Sequence, residues 1–215
     1  MTKPIPLISP VDGSTYATRT PLSRPDAEAC AARARAAQKA WAARPLDERI
    51  ALVKDGVAEL DKIKDTLVEE LAWQMGRPTR YGGEFGGVHD RTNYMAEIAA
   101  TALAPQIVED SASFFRKLAR EEGGVVFIVA PWNFPYLTTI NTLAPALIAG
   151  NTVVLKHAGQ TLLVGERLAQ AFHAAGIPED VFQNVVLDHA TTEHLIQSRA
   201  FNFVNFTGSV GGGIA

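Results

Sequence analysis

The sequence has very little cysteine and no long apolar run. Cys30 is the only thiol among 215 residues, so an intramolecular disulfide is excluded and a reducing, cytoplasmic setting is the default expectation. No apolar stretch approaches the roughly 18 residues that are needed to span a bilayer. Residues 1–10 also lack the apolar core of a signal peptide. We therefore expect no membrane partner.

The chain also lacks an excess of charge of either sign. Its formal net charge is −3 at pH 7, and acidic and basic residues are interspersed. Proteins that bind phosphate backbones usually carry a basic patch, so no nucleic-acid partner is predicted. The five histidines do not fall at metal-ligand spacings. His189 and His194, for example, would lie on different faces of a helix, and no metal site is predicted.

Several familiar signatures of catalysis and nucleotide binding are absent as well. The sequence contains no P-loop, no Gly-x-Ser-x-Gly elbow and no Gly-x-Gly-x-x-Gly fingerprint. Its composition, with 47% hydrophobic and 20% charged residues, is typical of a globular protein that buries a substantial core. The length is consistent with one or two domains.

The segment 1–104 predicts a lead-in followed by helices that pack on a second domain. Residues 1–22 are rich in Pro, Ser, Thr and Gly, which predicts an irregular or β-turn lead-in. A helix is predicted over 23–43 and further helices before Gly76, where a stop signal lies. Residues 79–104 look helical but contain four glycines, which indicates either a close packing partner or an interrupted helix.

The next segment, residues 105–122, differs in character from its neighbours. It alternates in polarity and ends in a string of charged residues. This pattern predicts an exposed extended arm or hairpin rather than part of a core.

From residue 123 to 215, apolar strands alternate with helices of about 10–15 residues. This alternation predicts right-handed βαβ units and a parallel sheet, and hence an α/β fold. A strand and a glycine-rich turn of this kind are normally followed by a full helix, so we expect the domain to be truncated. The strands are predicted at 124–130, 152–155, 181–187 and 202–206.

The strand at Val125–Val129 organises the candidate site, because it ends abruptly in Pro-Trp-Asn-Phe-Pro at 131–135. The run of β-branched and aromatic residues predicts a strand that is buried on both faces. Ligands of open α/β sheets bind at the carboxyl ends of such strands. Asn133 is therefore either a turn residue between two prolines or an amide donor to an oxyanion.

Two further candidates follow neighbouring strands. Lys156 either reaches a ribose hydroxyl or phosphate at the strand ends or is a solvated surface lysine. The glycine-rich segment 208–213 either presents backbone N–H groups to a phosphate or is a flexible tight turn. Cys30 lies on an Ala-rich helix far from the strand ends, and we interpret it as a packing or surface residue and not as a nucleophile.

Taken together, these residues resemble the aldehyde dehydrogenase superfamily. The Pro-Trp-Asn-Phe-Pro motif at 131–135 is followed in register by Gly-Asn-Thr-Val-Val-Leu-Lys at 150–156, Ala-Gly-Ile-Pro at 175–178 and Phe-Thr-Gly-Ser at 206–209. Upstream, Trp41 and Pro-Leu-Asp-Glu-Arg at 45–49 are similar to the early helices of the family. The similarity covers almost the whole chain.

The resemblance implies a Rossmann-like cofactor domain that binds NAD or NADP and acts on a small-molecule aldehyde. It implies that Asn133 holds the aldehyde oxygen, that Lys156 bonds the adenosine ribose and that Trp132 lies beside the nicotinamide ribose. The turn and helix start under the pyrophosphate would be formed by Gly208, Ser209 and Gly213. The family reaction is thiolate attack, hydride transfer to NAD(P) and hydrolysis of the thioester.

Three departures from the family pattern qualify this expectation. The nucleophilic Cys and general-base Glu of the family lie downstream of the glycine turn, so the chain alone is expected to be inactive. Gly159 stands three residues after Lys156, where many NAD-preferring relatives carry a Glu that binds both ribose hydroxyls. Without that carboxylate NADP becomes more acceptable. Thr142 stands where many members have a Lys.

Three hypotheses about the polypeptide stay open. In the first, it is the N-terminal part of an NAD(P)-dependent aldehyde dehydrogenase that forms a homodimer or homotetramer through the arm. In the second, it is a non-catalytic nucleotide-binding or assembly module. An acylating reductase of the same fold, which passes the acyl group to coenzyme A, is a third hypothesis. A reading frame that continues with the missing Glu and Cys would separate the first two.

Overall fold

The N-terminal part of the protein folds as an antiparallel hairpin followed by four helices. The structure is a computed structural model that describes residues 3–214, so the first two residues and the last one lie outside it. The prediction of an irregular lead-in is wrong, because residues 5–8 and 15–19 pair as an antiparallel hairpin. The sequence pattern missed it because the strands are short and the residues around them are mostly turn formers. The elements are β1 (Ile5–Ile8), β2 (Thr15–Arg19), α1 (Arg24–Ala42), α2 (Leu46–Asp61), α3 (Lys64–Met75) and α4 (Phe85–Leu103).

The predicted helix signals lie at the observed helix ends. The Ser23 hydroxyl accepts a hydrogen bond from the backbone N–H of Asp26 at 3.3 Å, which caps the start of α1. Gly76 has a φ of 75° and ends α3 in the left-handed conformation that glycine adopts without strain. No helix in residues 3–214 is both long and apolar enough to cross a bilayer.

The glycine-containing segment 79–104 shows both of the features that its sequence left open. A short 3₁₀ turn (Thr79–Tyr81) ends at Gly82, whose φ is 63°, and α4 begins only after this point. Inside α4, a Cβ atom added to Gly87 would lie 3.1 Å from Cδ1 of Leu137. The helix is therefore interrupted before α4 and closely packed at its first turn.

The segment after α4 forms an antiparallel hairpin of β3 (Gln106–Asp110) and β4 (Phe115–Leu118). It carries large apolar side chains that no other part of the described chain covers. Five of them are between 55% and 61% exposed: Ile107, Val108, Phe114, Phe115 and Leu118. The role of this hairpin in assembly stays a prediction.

The remainder of the chain confirms the predicted open parallel sheet and its Rossmann-like α/β architecture. The sheet has four strands in the order β7-β6-β5-β8, and all of its pairs are parallel. The elements are β5 (Val125–Val129), α5 (Pro135–Ile148), β6 (Thr152–Lys156), α6 (Leu162–Ala174), β7 (Phe182–Asn184), α7 (His189–Gln197), β8 (Phe203–Phe206) and α8 (Val210–Ile214).

Strand β5 lies at the centre of two apolar clusters, one on each face of the sheet. Val126 and Ile128 pack with residues of α2, α5 and α6. Val125, Phe127 and Val129 pack on the opposite face with residues of α1 and α7. The chain runs outward from β5 through β6 to β7 and then crosses back to β8 on the other side of β5. This reversal leaves a crevice at the carboxyl ends of the strands.

Candidate functional site

Three strands of the parallel sheet end at the same level. Val129 pairs with Lys156 on one side and with Phe206 on the other. The backbone N–H of Ala130 donates to the carbonyl of Lys156 at 3.1 Å, and that of Thr207 donates to the carbonyl of Val129 at 3.0 Å. The segments that follow β5, β6 and β8 therefore leave the sheet side by side at the reversal point, where ligands of open α/β sheets bind.

A cavity of about 770 Å³ lies over these strand ends. Its volume falls within the range of about 300–1,000 Å³ that is usual for small-molecule and cofactor sites. Gly212 and Gly213 both lie in α8; Gly212 lines the cavity, whereas the predicted site residue Gly213 does not. The other predicted site residues all line the cavity: Trp132, Asn133, Lys156, Gly159, Gly208 and Ser209.

The corner at 131–135 turns the chain out of β5 and into α5. Phe134 has φ 47° and ψ 52°, a left-handed conformation that costs a non-glycine residue about 1–2 kcal/mol. Its carbonyl accepts the N–H of Thr138 at 2.9 Å, which begins the helix. Asn133 is exposed to the cavity, and its side chain makes no hydrogen bond within residues 3–214. Both amide hydrogens are therefore available to a ligand.

Lys156 is the last residue of β6 and is half-buried. Burial lowers the pKa of its ammonium group, because the charged form loses part of its contact with water. Within residues 3–214, no carboxylate forms an ion pair with it. A partly desolvated cation of this kind is well suited to bind hydroxyl or phosphate oxygens of a ligand.

The glycine-rich turn lies against the ring of Phe206. A Cβ atom added to Gly208 would lie 2.7 Å from Cζ of that ring, and one added to Gly212 would lie 2.8 Å from it. Glycine at both positions therefore lets the turn approach the ring closely and present its backbone to the cavity. The Ser209 hydroxyl accepts the N–H of Gly212 at 3.1 Å, which leaves its own hydrogen free for another acceptor.

Helix α7 contributes a wall of the cavity that the sequence analysis missed. The wall lies where the chain returns from β7 to β8. The sequence pattern that could have revealed this wall is the i, i+4 spacing of Thr192 with Ile196 and of Glu193 with Gln197, which places these residues on one side of the helix. Five residues of α7 line the cavity: His189, Thr192, Glu193, Ile196 and Gln197.

His157 was also missed, because it was considered only as a metal ligand. It is buried, and the backbone N–H of Ala158 donates to its Nδ1 at 3.0 Å, so the proton of the neutral ring resides on Nε2. Nε2 lies 3.4 Å from the carbonyl oxygen of Pro135. Burial lowers the pKa of His157 to about 4. The ring thus connects the segment after Lys156 to the first turn of α5.

These features define a protein of the open α/β class whose cavity lies at the reversal point of the sheet, where such folds bind their ligands. The chain belongs to the aldehyde dehydrogenase family, whose model matches residues 1–215. The match confirms the resemblance on which the expected fold rests. Cys30 is buried on α1 and packs in the cluster on one face of the sheet, as expected for a packing residue.

Individual relatives agree with this assignment. The N-succinylglutamate 5-semialdehyde dehydrogenase of Novosphingobium aromaticivorans is 35% identical over 191 residues, which cover 88% of this chain and 41% of that protein. The structure of the NADP-dependent glyceraldehyde-3-phosphate dehydrogenase of Bacillus halodurans in complex with NADP is 28% identical in sequence and superposes with a TM-score of 0.91. The superposition covers 99% of this chain and 46% of the Bacillus chain. An aldehyde dehydrogenase of Mycobacterium tuberculosis, solved with NAD+, is 30% identical with a TM-score of 0.90, covering 100% and 45%. The chain thus spans less than half the length of these relatives.

Proposed function

We propose that this chain supplies the cofactor site and the oxyanion donor for NAD(P)-dependent oxidation of a small aldehyde to a carboxylic acid. The observation that carries the proposal is the convergence of Asn133, Lys156 and the turn at 208–209 on one cavity. The nucleophile is a cysteine outside residues 1–215. Cys30 does not serve, because it is buried on α1 and does not line the cavity.

The residues around the cavity fit a dinucleotide. Lys156 would bind the adenosine ribose, and a half-buried lysine without a carboxylate partner suits that role. The backbone of Gly208 and the hydroxyl of Ser209 would bind the pyrophosphate, with Gly213 in the helix behind them. Trp132, which is exposed to the cavity, would lie beside the nicotinamide ribose. When bound, NAD or NADP supplies the hydride acceptor.

Asn133 would act at the aldehyde oxygen. Thiolate addition to the carbonyl carbon converts this oxygen to an alkoxide, and a fixed amide N–H stabilises the charge as it develops. The amide makes no hydrogen bond within residues 3–214, so no bond has to be broken before it donates to the substrate. As the carbonyl re-forms, the bound cofactor would accept the hydride, and Asn133 would keep the oxygen oriented through both stages.

The proposed function is tested with two polypeptides, residues 1–215 and a longer product of the same gene. We expect the longer polypeptide to form NAD(P)H in the presence of an aldehyde. The polypeptide 1–215 is expected to bind the cofactor without turnover, because it holds no thiolate at the site. Turnover by 1–215 alone would contradict the placement of the nucleophile. A gene that encodes no further Cys and Glu would instead support a non-catalytic nucleotide-binding fragment.

Cofactor choice gives a second test, at Gly159. This residue lines the cavity together with Lys156, and a Cβ atom added to it would meet its nearest neighbour, Cγ2 of Ile5, at an ordinary 3.7 Å. Gly159→Glu is therefore expected to fold and to repel a 2′-phosphate. Compared with the unmodified protein, we expect the ratio of the Kd for NADP to the Kd for NAD to rise about tenfold. This ratio corresponds to a difference in binding free energy of about 1.4 kcal/mol.

The matched control for this substitution is Gly159→Gln, which has nearly the same size without the charge. Titration of both variants with each cofactor separates charge from bulk. An equal change in NADP affinity for the two variants would contradict the electrostatic explanation.

We also propose that the β3–β4 hairpin contacts a second copy of the chain in a homodimer or homotetramer. Its exposed apolar side chains support this proposal, because contiguous exposed apolar surface commonly marks a contact between proteins. The hairpin lies between α4 and β5 in the chain and contributes no residue to the cavity lining, so the contact would not use the cofactor-site residues.

A further inference from the structure

A buried carboxylate lies behind the corner that carries Asn133. The side chain of Glu84, immediately before α4, is 3% exposed. Its Oε2 accepts the backbone N–H of Leu137, in the first turn of α5, at 2.7 Å. Its Oε1 accepts a hydrogen bond from Nη1 of Arg77 at 2.5 Å. One oxygen is thus bound by the start of α5 and the other by a cation.

Arg77 makes a second contact, with the residue that follows Asn133. Its Cζ atom lies 5.3 Å from the ring centroid of Phe134, within the range of a cation–π interaction. A left-handed non-glycine residue such as Phe134 persists only where its surroundings over-determine its conformation. Arg77 contacts the ring of this residue, and Glu84 holds the helical turn after it.

The first turn of α4 also packs tightly against the first turn of α5. A Cβ atom at Gly87 would lie 3.1 Å from Cδ1 of Leu137, which is closer than nearly all such contacts. The backbone N–H of the same residue, Leu137, also donates its hydrogen bond to Glu84. The two helix starts therefore have little freedom to move relative to each other.

From these contacts we infer that Arg77 and Glu84 form a positioning pair, which fixes the Phe134 turn and thereby directs the Asn133 amide toward the substrate oxygen. Neither residue lines the cavity, and we assign both of them a positioning role without contact to substrate or cofactor. Their effect on the reaction would pass through Asn133. The inference rests on the proposed oxyanion role of Asn133.

The test uses the enzyme that contains this chain, with Glu84→Gln as the main variant. Glutamine keeps an oxygen for the N–H of Leu137 but removes the charge that binds Arg77. We expect kcat to fall about tenfold, because small displacements of a reacting group cost large factors in rate. The Kd for NAD(P) should stay unchanged, because the Lys156 side of the cavity is not contacted by the pair.

A double-mutant cycle with Asn133→Ala shows whether the effect passes through the amide. In the Asn133→Ala background, Glu84→Gln should lower kcat no further. Arg77→Lys provides a second variant that keeps the positive charge but loses the planar group over Phe134, and it should lower kcat in the same direction. A full additional loss of kcat from Glu84→Gln in the Asn133→Ala background would overturn the inference.

The chain offers a matched structural control in Glu70 and Arg167. The side chain of Glu70 is 9% exposed and bonds Nη2 of Arg167 at 2.5 Å, which joins α3 to α6. Glu70→Gln should lower the thermal midpoint as Glu84→Gln does while leaving kcat unchanged. Equal losses of kcat in the two variants would show a general structural effect and contradict positioning. Unchanged kcat in Asn133→Ala alone would refute the oxyanion role and the positioning role with it.

Discussion

Replacement of Asn133 by alanine is expected to lower kcat by about 10²–10³-fold, or about 2.7–4 kcal/mol, in the enzyme that contains this chain. The side-chain amide faces the cavity and makes no hydrogen bond within residues 3–214, so its loss removes a donor to the alkoxide without breaking a structural contact. Because the interaction strengthens as charge develops, kcat should fall much more than the affinity for NAD(P). Steady-state NAD(P)H formation and cofactor titration provide the two measurements.

Asn133→Asp is the control for shape. The carboxylate has nearly the same size as the amide but donates no proton and repels a developing alkoxide, so its kcat should be at least as low as that of Asn133→Ala. Both variants should retain the thermal midpoint of the unmodified protein. A kcat close to the unmodified value in Asn133→Ala would leave Asn133 as a turn residue between two prolines, which is the alternative interpretation of the sequence.

The parts of the site that could be predicted from sequence all follow the ends of strands. The apolar run Val125–Val129 and its abrupt end in a proline-flanked corner are local features that the sequence shows directly. Because the strands of the sheet are parallel, the residues that follow them all lie at the same edge of the sheet. The register then aligns Val129 with Lys156 and Phe206. As a result, Asn133, Lys156 and the glycine turn at 208–209 line one cavity in the structure.

The parts that could not be predicted depend on contacts between distant segments. Glu84 bonds the N–H of Leu137, which lies 53 residues further along the chain. Glycines at 82–83 and 86–87 flank Glu84 and Phe85, and they obscure the helix start at this point. His157 contacts Pro135, 22 residues earlier, and no local pattern separates such a histidine from one on the surface. The sequence supplies these side chains, but only tertiary packing gives them their partners.

Acidification is expected to destabilise the protein through His157. Its pKa is lowered to about 4 by burial, while the same group in an unfolded chain has its ordinary value of 6.5. The unfolded state therefore binds the proton first, and stability is lost as pH falls from about 6.5 toward 4. The full loss is about 3 kcal/mol, from the difference between the two pKa values. Urea unfolding of the same polypeptide at pH 7 and at several lower values measures it.

The matched control is His157→Asn, which keeps an acceptor near the N–H of Ala158 but cannot take up a proton. This variant should be less stable than the unmodified protein at pH 7, because it loses the contact of Nε2 with Pro135. It should also lose less stability on acidification, so that the two stability curves approach each other as pH falls. Every other residue is the same in both proteins, and the difference between the curves therefore isolates His157. Parallel curves from pH 7 to pH 4 would show that the ring is hydrated and protonates as readily in the folded protein as in the unfolded chain.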